Sequence, residues 1–486
     1  MNNDARRLEY DESSKESIRR HAELLLESCL RDRYGKVAEE AVKELNVQLK
    51  DKGKLGLLIE FLHFGVRRNS RAEPDFPLAG VELKTTGIQQ LKKEVVAKER
   101  LSLGLINYML FEDPREWNFE TSQFWKKNSL ILLMVYLHEK ELKIFDYVFK
   151  LVDYLDHSDA DLEIIRGDWE TIIEKIKAGK AHELSDGDTL YLGASTKGGK
   201  GGNPRPQPFN AKKAKQRAFT FKKGYLDHLL ASLSGKSGKN YGRVLKTAKR
   251  LRTGNTFEEI VIGRFERFYG KTIEEIVSAT TANELNRDAY QFYSKLTRAM
   301  LDVDFDKEIE EFDKADIQLK SVRLDKNGLP EEAVSFPKFE FIDLVEEKWE
   351  LSSLKTILES KFLFVFYQYT SNDQLVLRRA RFWNMPQADI KEAKKVWMEA
   401  RRIVNEGKIQ RGELVRKDGK KIRLTNFPGS DFNRVLHVRP HASKTIYTNS
   451  LPVQDKYSKE WEYTDHCFWL NKQYVRDEIY LPKLKT

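Results

Sequence analysis

Apolar residues recur at helical spacing through residues 12–50, with Glu and Lys side chains between them, and this pattern predicts a helical segment. The elements predicted after it are a helix at 55–64, strands near 79–86, 130–137 and 141–151, and a helix at 161–178. The longest apolar run, at 130–137, is too short to span a bilayer and is predicted to be a buried strand. No association with a membrane is therefore expected.

The second half of the chain repeats this order of elements. Strands are predicted near 316–324, 338–344 and 361–370, followed by a helix at 387–406. Residues 232–239 are small, polar and rich in glycine, which is typical of a linker. Each half is thus predicted to be an α/β domain in which helices flank a mixed sheet.

Pairs of similar segments occur in the same order in the two halves. The pairs are 34–42 with 269–277, 75–84 with 311–320, 169–180 with 397–408 and, more weakly, 218–223 with 467–472. Collinear matches of this kind indicate an internal duplication. We therefore predict two tandem copies of one fold, in domains at 1–235 and 240–486.

Two carboxylates and a lysine lie close together in residues 74–84, Pro-Asp-Phe-Pro-Leu-Ala-Gly-Val-Glu-Leu-Lys. On a strand, Glu82 and Lys84 share one face, and the proline-containing turn before them brings Asp75 alongside. Oxygen ligands of this kind suit Mg²⁺, which takes one or two protein carboxylates. The ammonium of Lys84 is then placed to orient or deprotonate a water that attacks a phosphodiester. The alternative interpretation is that all three are solvated surface charges.

The second copy lacks this set of charges. Gln318 stands where the first copy has Glu82, and a neutral amide cannot supply the charge that a Mg²⁺ ligand needs. A further acid of the first copy, Glu60, lies among apolar residues of a predicted helix, whereas the corresponding residues 289–301 contain no acid. The first copy is therefore predicted to be catalytic and the second a degenerate copy kept for binding. The alternative is that both copies are structural.

Composition favours a polyanionic partner. The chain has 85 Lys and Arg against 75 Asp and Glu, a net charge of +10 and a pI of about 9.1. Two cysteines, Cys29 and Cys467, lie at opposite ends and provide neither a disulfide framework nor a zinc motif. This usage predicts a reducing, cytoplasmic location.

Residues 197–223 combine glycines and prolines with six lysine or arginine residues that follow them between 212 and 223, and they predict a loop that faces DNA. The alternative is an ordinary flexible loop. In the second copy, His437 and His441 follow a basic run at 416–423. No third ligand accompanies the two histidines, so DNA contact or core packing is a better interpretation than a metal site.

These residues resemble the family of the mismatch-repair nickase MutH, and the two-copy arrangement resembles its type II restriction endonucleases that cut at GATC. The resemblance rests on Lys52, Glu60, Asp75–Pro77, Gly80–Thr85, Glu120–Ser122, Lys127, Phe219, Lys222 and Lys223. It implies the restriction-endonuclease fold, with Asp75 and Glu82 as Mg²⁺ ligands. It also implies that Lys84 acts on the attacking water and that Glu60 and Lys127 support the site.

The same resemblance implies that the region around Lys197 and Thr220 reads bases in the major groove. The residues that it assigns to DNA binding are Lys52, Lys197, Thr220, Lys222, Lys223, Arg439 and His441. The chain departs from the nickase pattern at 194–197 and at Thr220, where the nickase has an Arg-Pro-Lys run and a Tyr. Residues 437–441 resemble that run more closely, which favours DNA reading by the second domain.

The resulting prediction is a Mg²⁺-dependent endonuclease that cuts double-stranded DNA at 5′-GATC-3′. Its second domain is expected to bind another copy of the site and regulate cutting, and two chains are expected to meet on one DNA molecule. Two alternatives stay open. One is a strand-nicking repair enzyme, for which a single copy of the fold is the expected form, and the other is a DNA-binding protein without catalysis.

Overall fold

The computed structural model describes residues 10–45, 53–66, 73–90, 95–197, 203–235, 239–289, 291–415, 421–440 and 448–482. Within these ranges the chain is mixed α/β, as predicted, and it divides into two compact units. The first unit comprises residues 1–241, 245–256 and 310–316, and the second comprises 242–244, 257–309 and 317–486.

Most elements of the first unit precede residue 235. The helices are α1 (Lys15–Glu23), α2 (Leu30–Tyr34), α3 (Lys36–Glu44), α4 (Lys54–Leu62), α5 (Gln123–Asn128), α6 (Asp159–Lys177) and α7 (Lys223–Leu233). The strands are β1 (Glu82–Gln90), β2 (Val95–Ala97), β3 (Leu101–Leu105), β4 (Ile131–Leu137), β5 (Phe149–Tyr154), β6 (Leu192–Thr196), β7 (Arg205–Gln207), β8 (Asn210–Ala214) and β9 (Arg217–Phe221). Short 3₁₀ turns occur at Tyr108–Glu112, Pro114–Trp117, Ile144–Asp146, Ala181–Glu183 and Asp186–Asp188.

Most of the remaining elements belong to the second unit; α8 and α12 lie in the first, and β10 begins at the last residue of the first segment of that unit. The helices are α8 (Lys249–Arg252), α9 (Phe257–Glu266), α10 (Ile273–Ser278), α11 (Phe292–Met300), α12 (Glu310–Lys314), α13 (Phe341–Glu346), α14 (Ser353–Leu358), α15 (Gln387–Asn405) and α16 (Lys472–Tyr474). The strands are β10 (Tyr241–Gly242), β11 (Glu308–Ile309), β12 (Gln318–Leu324), β13 (Val334–Phe339), β14 (Lys361–Tyr369), β15 (Leu375–Asn384), β16 (Arg411–Val415), β17 (Lys421–Thr425), β18 (Leu436–Pro440), β19 (Thr448–Ser450), β20 (Glu462–Thr464) and β21 (His466–Leu470). 3₁₀ turns at Ala282–Glu284 and Trp349–Leu351 and a π-helix at Val475–Tyr480 complete the set.

Two sheets form the framework of the first unit. The larger has the order β2-β1-β4-β5, in which β1 and β4 are parallel and the two edge strands are antiparallel to their neighbours. The smaller sheet, β3-β9-β6, is antiparallel. The central strand β4 is apolar along almost its whole length because both of its faces are covered.

The second unit contains sheets with the same pairing pattern. In the sheet β12-β14-β15, β12 runs parallel to β14 and β15 runs antiparallel to it. A second sheet has the order β13-β21-β18 and is antiparallel. The long helix α15 follows β15 in the chain, just as α6 follows β5 in the first unit.

Each unit has its own apolar core. In the first, residues of α1 and α4 pack with one face of β1 and β4, including Ile18, Leu58, Leu83 and Leu132. In the second, aromatic side chains of β14 pack with α15 around Trp397. Among the described residues, no helix combines the length and the apolar character needed to cross a membrane.

Several predicted boundaries are wrong. Residues 12–50 do not form one helical segment, since α1, α2 and α3 are separated by Glu27 and Gly35, both with positive φ. The strand expected at 141–151 is a 3₁₀ turn followed by β5, and the one expected at 338–344 ends at Phe339 before α13. Strand β15 was not predicted, because Arg378, Arg379 and Arg381 interrupt its apolar pattern.

Candidate active site

The turn before β1 places Asp75 beside Glu82, as the sequence predicts. The backbone N–H of Phe76 donates to the Val81 carbonyl (2.9 Å), and the Val81 N–H donates back to the Phe76 carbonyl (3.1 Å). Gly80 completes this turn with a φ of +67°, which glycine adopts without strain. The resulting short bridge returns the chain on itself immediately next to Asp75.

Reciprocal hydrogen bonds then hold the two acids together. The Asp75 N–H donates to Glu82 Oε2 (3.2 Å), and the Leu83 N–H donates to Asp75 Oδ2 (3.0 Å). Glu82 is only 1% exposed, and its own N–H donates to the Leu130 carbonyl at 2.9 Å, next to β4. Main-chain contacts thus position both carboxylates.

Two lysines share the remaining Glu82 oxygen. Lys84 Nζ donates a hydrogen bond to Glu82 Oε1, and Lys127 Nζ lies 3.6 Å from the same atom. Lys127 comes from α5, a helix that begins after Ser122, whose Oγ accepts the Trp125 N–H. Lys127 Nζ also donates to the Glu73 carbonyl at 3.2 Å, which ties α5 to the turn before β1. The structure therefore brings the predicted basic residues together with the predicted acids.

Glu60 lies within electrostatic reach of the same groups. Burial raises the pKa of Glu60 to about 7, and the negative charge of Asp75 acts in the same direction. Helix α4 approaches β1 closely at Gly56, where a Cβ atom would lie 3.1 Å from Thr85 Oγ1. Gly56 is one turn before Glu60, so its lack of a side chain permits the approach that brings Glu60 to the site.

Burial also raises the pKa of Glu82, while the positive charge of Lys84 opposes this shift. The site therefore contains two acids, Glu60 and Glu82, that hold protons more readily than ordinary carboxylates. Bringing a cation to the site would favour their ionised forms. Raised pKa values of this kind are common among the carboxylates of active sites.

The donor chemistry fits a hard divalent cation. Among the residues that the structure describes, no group of three or more His, Cys, Asp or Glu side chains is arranged to hold a metal. Asp75 and Glu82 nonetheless fit Mg²⁺, which completes its shell with water and substrate phosphate oxygens and needs only one or two carboxylates. They do not fit zinc, whose protein sites generally use three or four ligands rich in imidazole or thiolate.

Two predicted DNA contacts need correction. Thr220 on β9 is fully buried, and its hydroxyl pairs with the Ser195 hydroxyl at 2.6 Å. Lys222 is also buried, and its Nζ donates to the Thr189 carbonyl at 2.5 Å. Both side chains therefore stabilise the interior of the first unit and do not face DNA.

The other predicted DNA contacts of the first unit are more accessible. Lys197 follows β6 and is half-buried, and Lys223 begins α7 and pairs with Asp227 at 2.8 Å. Between them the chain forms the hairpin β7–β8, so much of the predicted loop is ordered structure. Lys52 lies outside the described residues.

The second unit differs from the first at the equivalent strand. Lys320 on β12 donates to the Ser335 carbonyl at 2.8 Å, and burial lowers the pKa of Lys320 to about 8. Its strand neighbour Gln318 supplies an amide where β1 supplies Glu82. This lysine thus contacts a neutral carbonyl where Lys84 contacts a carboxylate.

His437 and Arg439 lie on β18. His437 is buried, and its Nδ1 pairs with Asn471 Oδ1 at 2.6 Å, which supports core packing and not a metal site. The Arg439 guanidinium lies 3.7 Å from the centre of the Trp469 ring, and burial lowers its pKa. His441 lies outside the described residues.

Sequence reasoning missed two buried acids that organise the first unit. Asp168 of α6 accepts the backbone N–H groups of Leu190, Tyr191 and Leu192 at 2.6–2.9 Å and so fixes the start of β6. Asp186 pairs with Arg100 at 2.6 Å. The partners are far apart in the chain, and nothing in the local pattern indicates that they meet.

Comparison with known proteins finds similarity over most of the chain. The family model for the DNA mismatch repair enzyme MutH matches residues 64–168, which include Asp75, Glu82, Lys84 and Lys127. The type II restriction enzyme Sau3AI of Staphylococcus aureus is 32% identical over 447 residues, covering 86% of this chain and 90% of that enzyme.

Two mismatch repair proteins show shorter matches. The MutH protein of Vibrio campbellii is 27% identical over 182 residues, which cover 37% of this chain and 72% of that protein. The MutH protein of Shewanella amazonensis is 30% identical over 145 residues, which cover 29% of this chain and 62% of that protein.

Proposed function

The chain belongs to the MutH-like family of type II restriction enzymes that includes Sau3AI, as its motifs predict, and we propose that it cuts both strands of DNA at 5′-GATC-3′ with the help of Mg²⁺. It is a type II site-specific deoxyribonuclease. The observation that carries the proposed chemistry is the convergence of Asp75, Glu82 and Lys84 at the start of β1.

In this proposal Asp75 and Glu82 hold Mg²⁺. When bound, the ion supplies positive charge that stabilises the phosphoryl group under attack and makes water a better nucleophile. Lys84 orients the attacking water and, in its neutral amine form, would accept the proton that this water releases, since the hydrogen bond to Glu82 keeps its Nζ at the site. Lys127, from α5, approaches the same carboxylate oxygen and adds a second positive charge beside it.

We further propose that residues 240–486 are a second MutH-like domain that binds DNA without cutting it. The recurrence of a parallel pair followed by an antiparallel strand in each unit supports this duplication. Gln318 in place of an acid supports the loss of chemistry. A palindromic site presents two equivalent scissile phosphates, so two chains would assemble on one DNA molecule, and the second domain would regulate cutting by binding another site.

A plasmid assay tests the activity directly. Purified protein is incubated with a sequenced plasmid and Mg²⁺ beside a Glu82→Ala variant. Discrete fragments that the variant does not produce support double-strand cutting, and fragment ends at GATC support the proposed site. Relaxed circles alone would favour a nicking enzyme, and retarded but uncut DNA would favour a binding protein.

Metal binding is tested separately from activity. Isothermal titration with Ca²⁺ or Mn²⁺ is expected to show binding by the wild-type chain and its loss in Glu82→Ala. Crystals soaked in Mn²⁺ are expected to place an anomalous peak between Asp75 and Glu82. A peak in the second unit, or none between these acids, would contradict the proposal.

A further inference from the structure

The hairpin β7–β8 of the first unit ends in an exposed aromatic side chain. Its two-residue turn consists of Pro208 and Phe209, and Phe209 has a φ of +61° and is 63% exposed. Proline followed by a residue with positive φ is the arrangement of a type II turn, in which glycine or asparagine normally takes the second position. Phe209 therefore carries both backbone strain and an exposed apolar ring.

Contacts on both sides of the turn hold this conformation. Asn210 Nδ2 donates to the Gly179 carbonyl at 2.8 Å, and the buried Gln207 accepts the Ala181 N–H through Oε1 at 2.8 Å. At Gly179 a Cβ atom would lie only 2.8 Å from the Phe209 carbonyl oxygen, so the hairpin packs directly against the end of α6. The ring is thus presented to solvent by a well-anchored hairpin.

The hairpin segment that carries the ring is strongly basic. Residues 203–217 contain five Lys or Arg and no Asp or Glu. Four of the five are exposed, namely Arg205, Lys212, Lys213 and Lys215. An apolar ring among exposed cations suits a ligand that is both aromatic and polyanionic, and nucleic acid has both properties.

We propose that Phe209 is a wedge that inserts between base pairs of the bound duplex while the neighbouring lysines contact phosphates. The proposal rests on the proposed function, because that function makes duplex DNA the ligand. Proteins that kink DNA use Phe or Leu side chains in this way, and the unstacking is repaid by additional contacts. Phe209 would then help to position the recognition site, without touching the reacting atoms.

The first test compares affinity and stability for a duplex that contains the mapped cleavage site, with Ca²⁺ in place of Mg²⁺. Phe209→Gly is expected to weaken binding on the order of tenfold, as for loss of one stacking side chain. The same variant should melt at an equal or higher temperature, since glycine relieves the positive φ. Phe209→Trp keeps an aromatic ring and should bind within about twofold of wild type.

Leu105→Ala provides the matched control. Leu105 is also an exposed apolar residue of the first unit, but no charged residue lies between 101 and 111. Removing the Leu105 side chain should leave the affinity for the duplex unchanged. If Leu105→Ala and Phe209→Gly lowered the affinity for the duplex equally, the effect would belong to exposed apolar surface in general. That result would refute the proposal that Phe209 is a wedge.

The second test detects unstacking directly. 2-Aminopurine is placed in turn at each position across and beside the site, and its fluorescence should rise at one step with the wild-type chain but not with Phe209→Gly. If the wild-type chain binds and cuts while Phe209→Gly binds equally well with the same fluorescence, the wedge alone is refuted. If the wild-type chain does not bind duplex DNA at all, the proposed function fails and the wedge with it.

Discussion

Lys84 and Glu82 lie two residues apart on one face of β1, and Lys84 Nζ donates a hydrogen bond to Glu82 Oε1. Glu82 is buried, and this hydrogen bond holds Lys84 at the site in the absence of DNA. Lys84→Met is expected to lower the single-turnover rate of DNA cleavage by at least about 100-fold, the usual effect of removing a group that acts on the transferred proton. Gel-shift affinity in Ca²⁺ should change little, and a large loss of affinity would instead assign Lys84 to DNA binding.

Lys127 contacts the same oxygen from a greater distance, 3.6 Å. Lys127→Met should therefore reduce the cleavage rate less than Lys84→Met does, by about tenfold. The exposed neighbour Lys126 on the same helix offers a matched control, and Lys126→Met should cut at the wild-type rate. If Lys126→Met and Lys127→Met lowered the cleavage rate equally, α5 would contribute only general positive charge to the site.

The raised pKa of Glu60 predicts that the stability of the chain depends on pH. Its pKa is raised from 4.5 to about 7, first by burial, so between these values the folded chain holds a proton that the unfolded chain has released. In the absence of divalent ions, this group's contribution to stability therefore falls as the pH rises through the window and is fully lost above about 7.

Glu60→Gln removes that loss. At pH 8 the variant is expected to have a free energy of unfolding about 3 kcal/mol above wild type, and below pH 4.5 the two should be equal. Urea denaturation at both pH values provides the measurement. A difference that grows as the pH falls would have the wrong sign and would refute the assignment.

A buried ion pair stabilises the first unit away from the acids of the site. Lys314 Nζ contacts both Asp161 oxygens at 2.8 Å and Glu310 Oε1 at 2.8 Å, and all three residues are buried. Lys314→Met removes the ammonium that Asp161 and Glu310 share in the interior and should lower the free energy of unfolding by about 3–5 kcal/mol.

The control for this prediction is an exposed pair in the same unit. Lys239 lies 3.1 Å from Asp313, and the two side chains are 48% and 38% exposed. Lys239→Met should therefore lower the free energy of unfolding by less than about 1 kcal/mol. Denaturant titration of both variants gives the comparison. Similar decreases in the free energy of unfolding would show that the buried pair contributes no more to stability than a surface pair does.

Gln318→Ala tests whether the second unit takes part in chemistry. Its neighbour Lys320 donates to the Ser335 carbonyl, so this strand has no ion pair like that of Lys84 and Glu82. The variant is expected to cleave a short duplex with a single site at the wild-type rate. Loss of cleavage would show that the second unit is required for the reaction itself.

Much of the site could be predicted because it is local in sequence. Asp75, Glu82 and Lys84 lie within one turn and one strand, and alternation along the strand determines which side chains share a face. Strand β4 and helix α6 were also predicted closely, since a long apolar run and helical periodicity are strong signals.

The remainder depends on contacts between distant segments. Thr220 and Lys222 have polar side chains typical of a DNA-facing loop. In the structure both are buried, and they form hydrogen bonds with Ser195 and Thr189, respectively. A lysine can be buried when a carbonyl accepts its hydrogen bond, and a sequence does not show where that carbonyl will lie. For the same reason composition suggested a basic loop but not the hairpin that presents Phe209.

The start of β1 alternates core and site side chains, with Val81 and Leu83 in the apolar core. Its register is fixed because Glu82 lies opposite Ile131 of β4. Inserting one residue here would exchange the two faces, pointing Glu82 inward and a leucine toward the substrate. The spacing from Asp75 to Lys84 is therefore expected to tolerate no insertion, whereas the chain upstream of the turn can change in length without altering which side chains face the site.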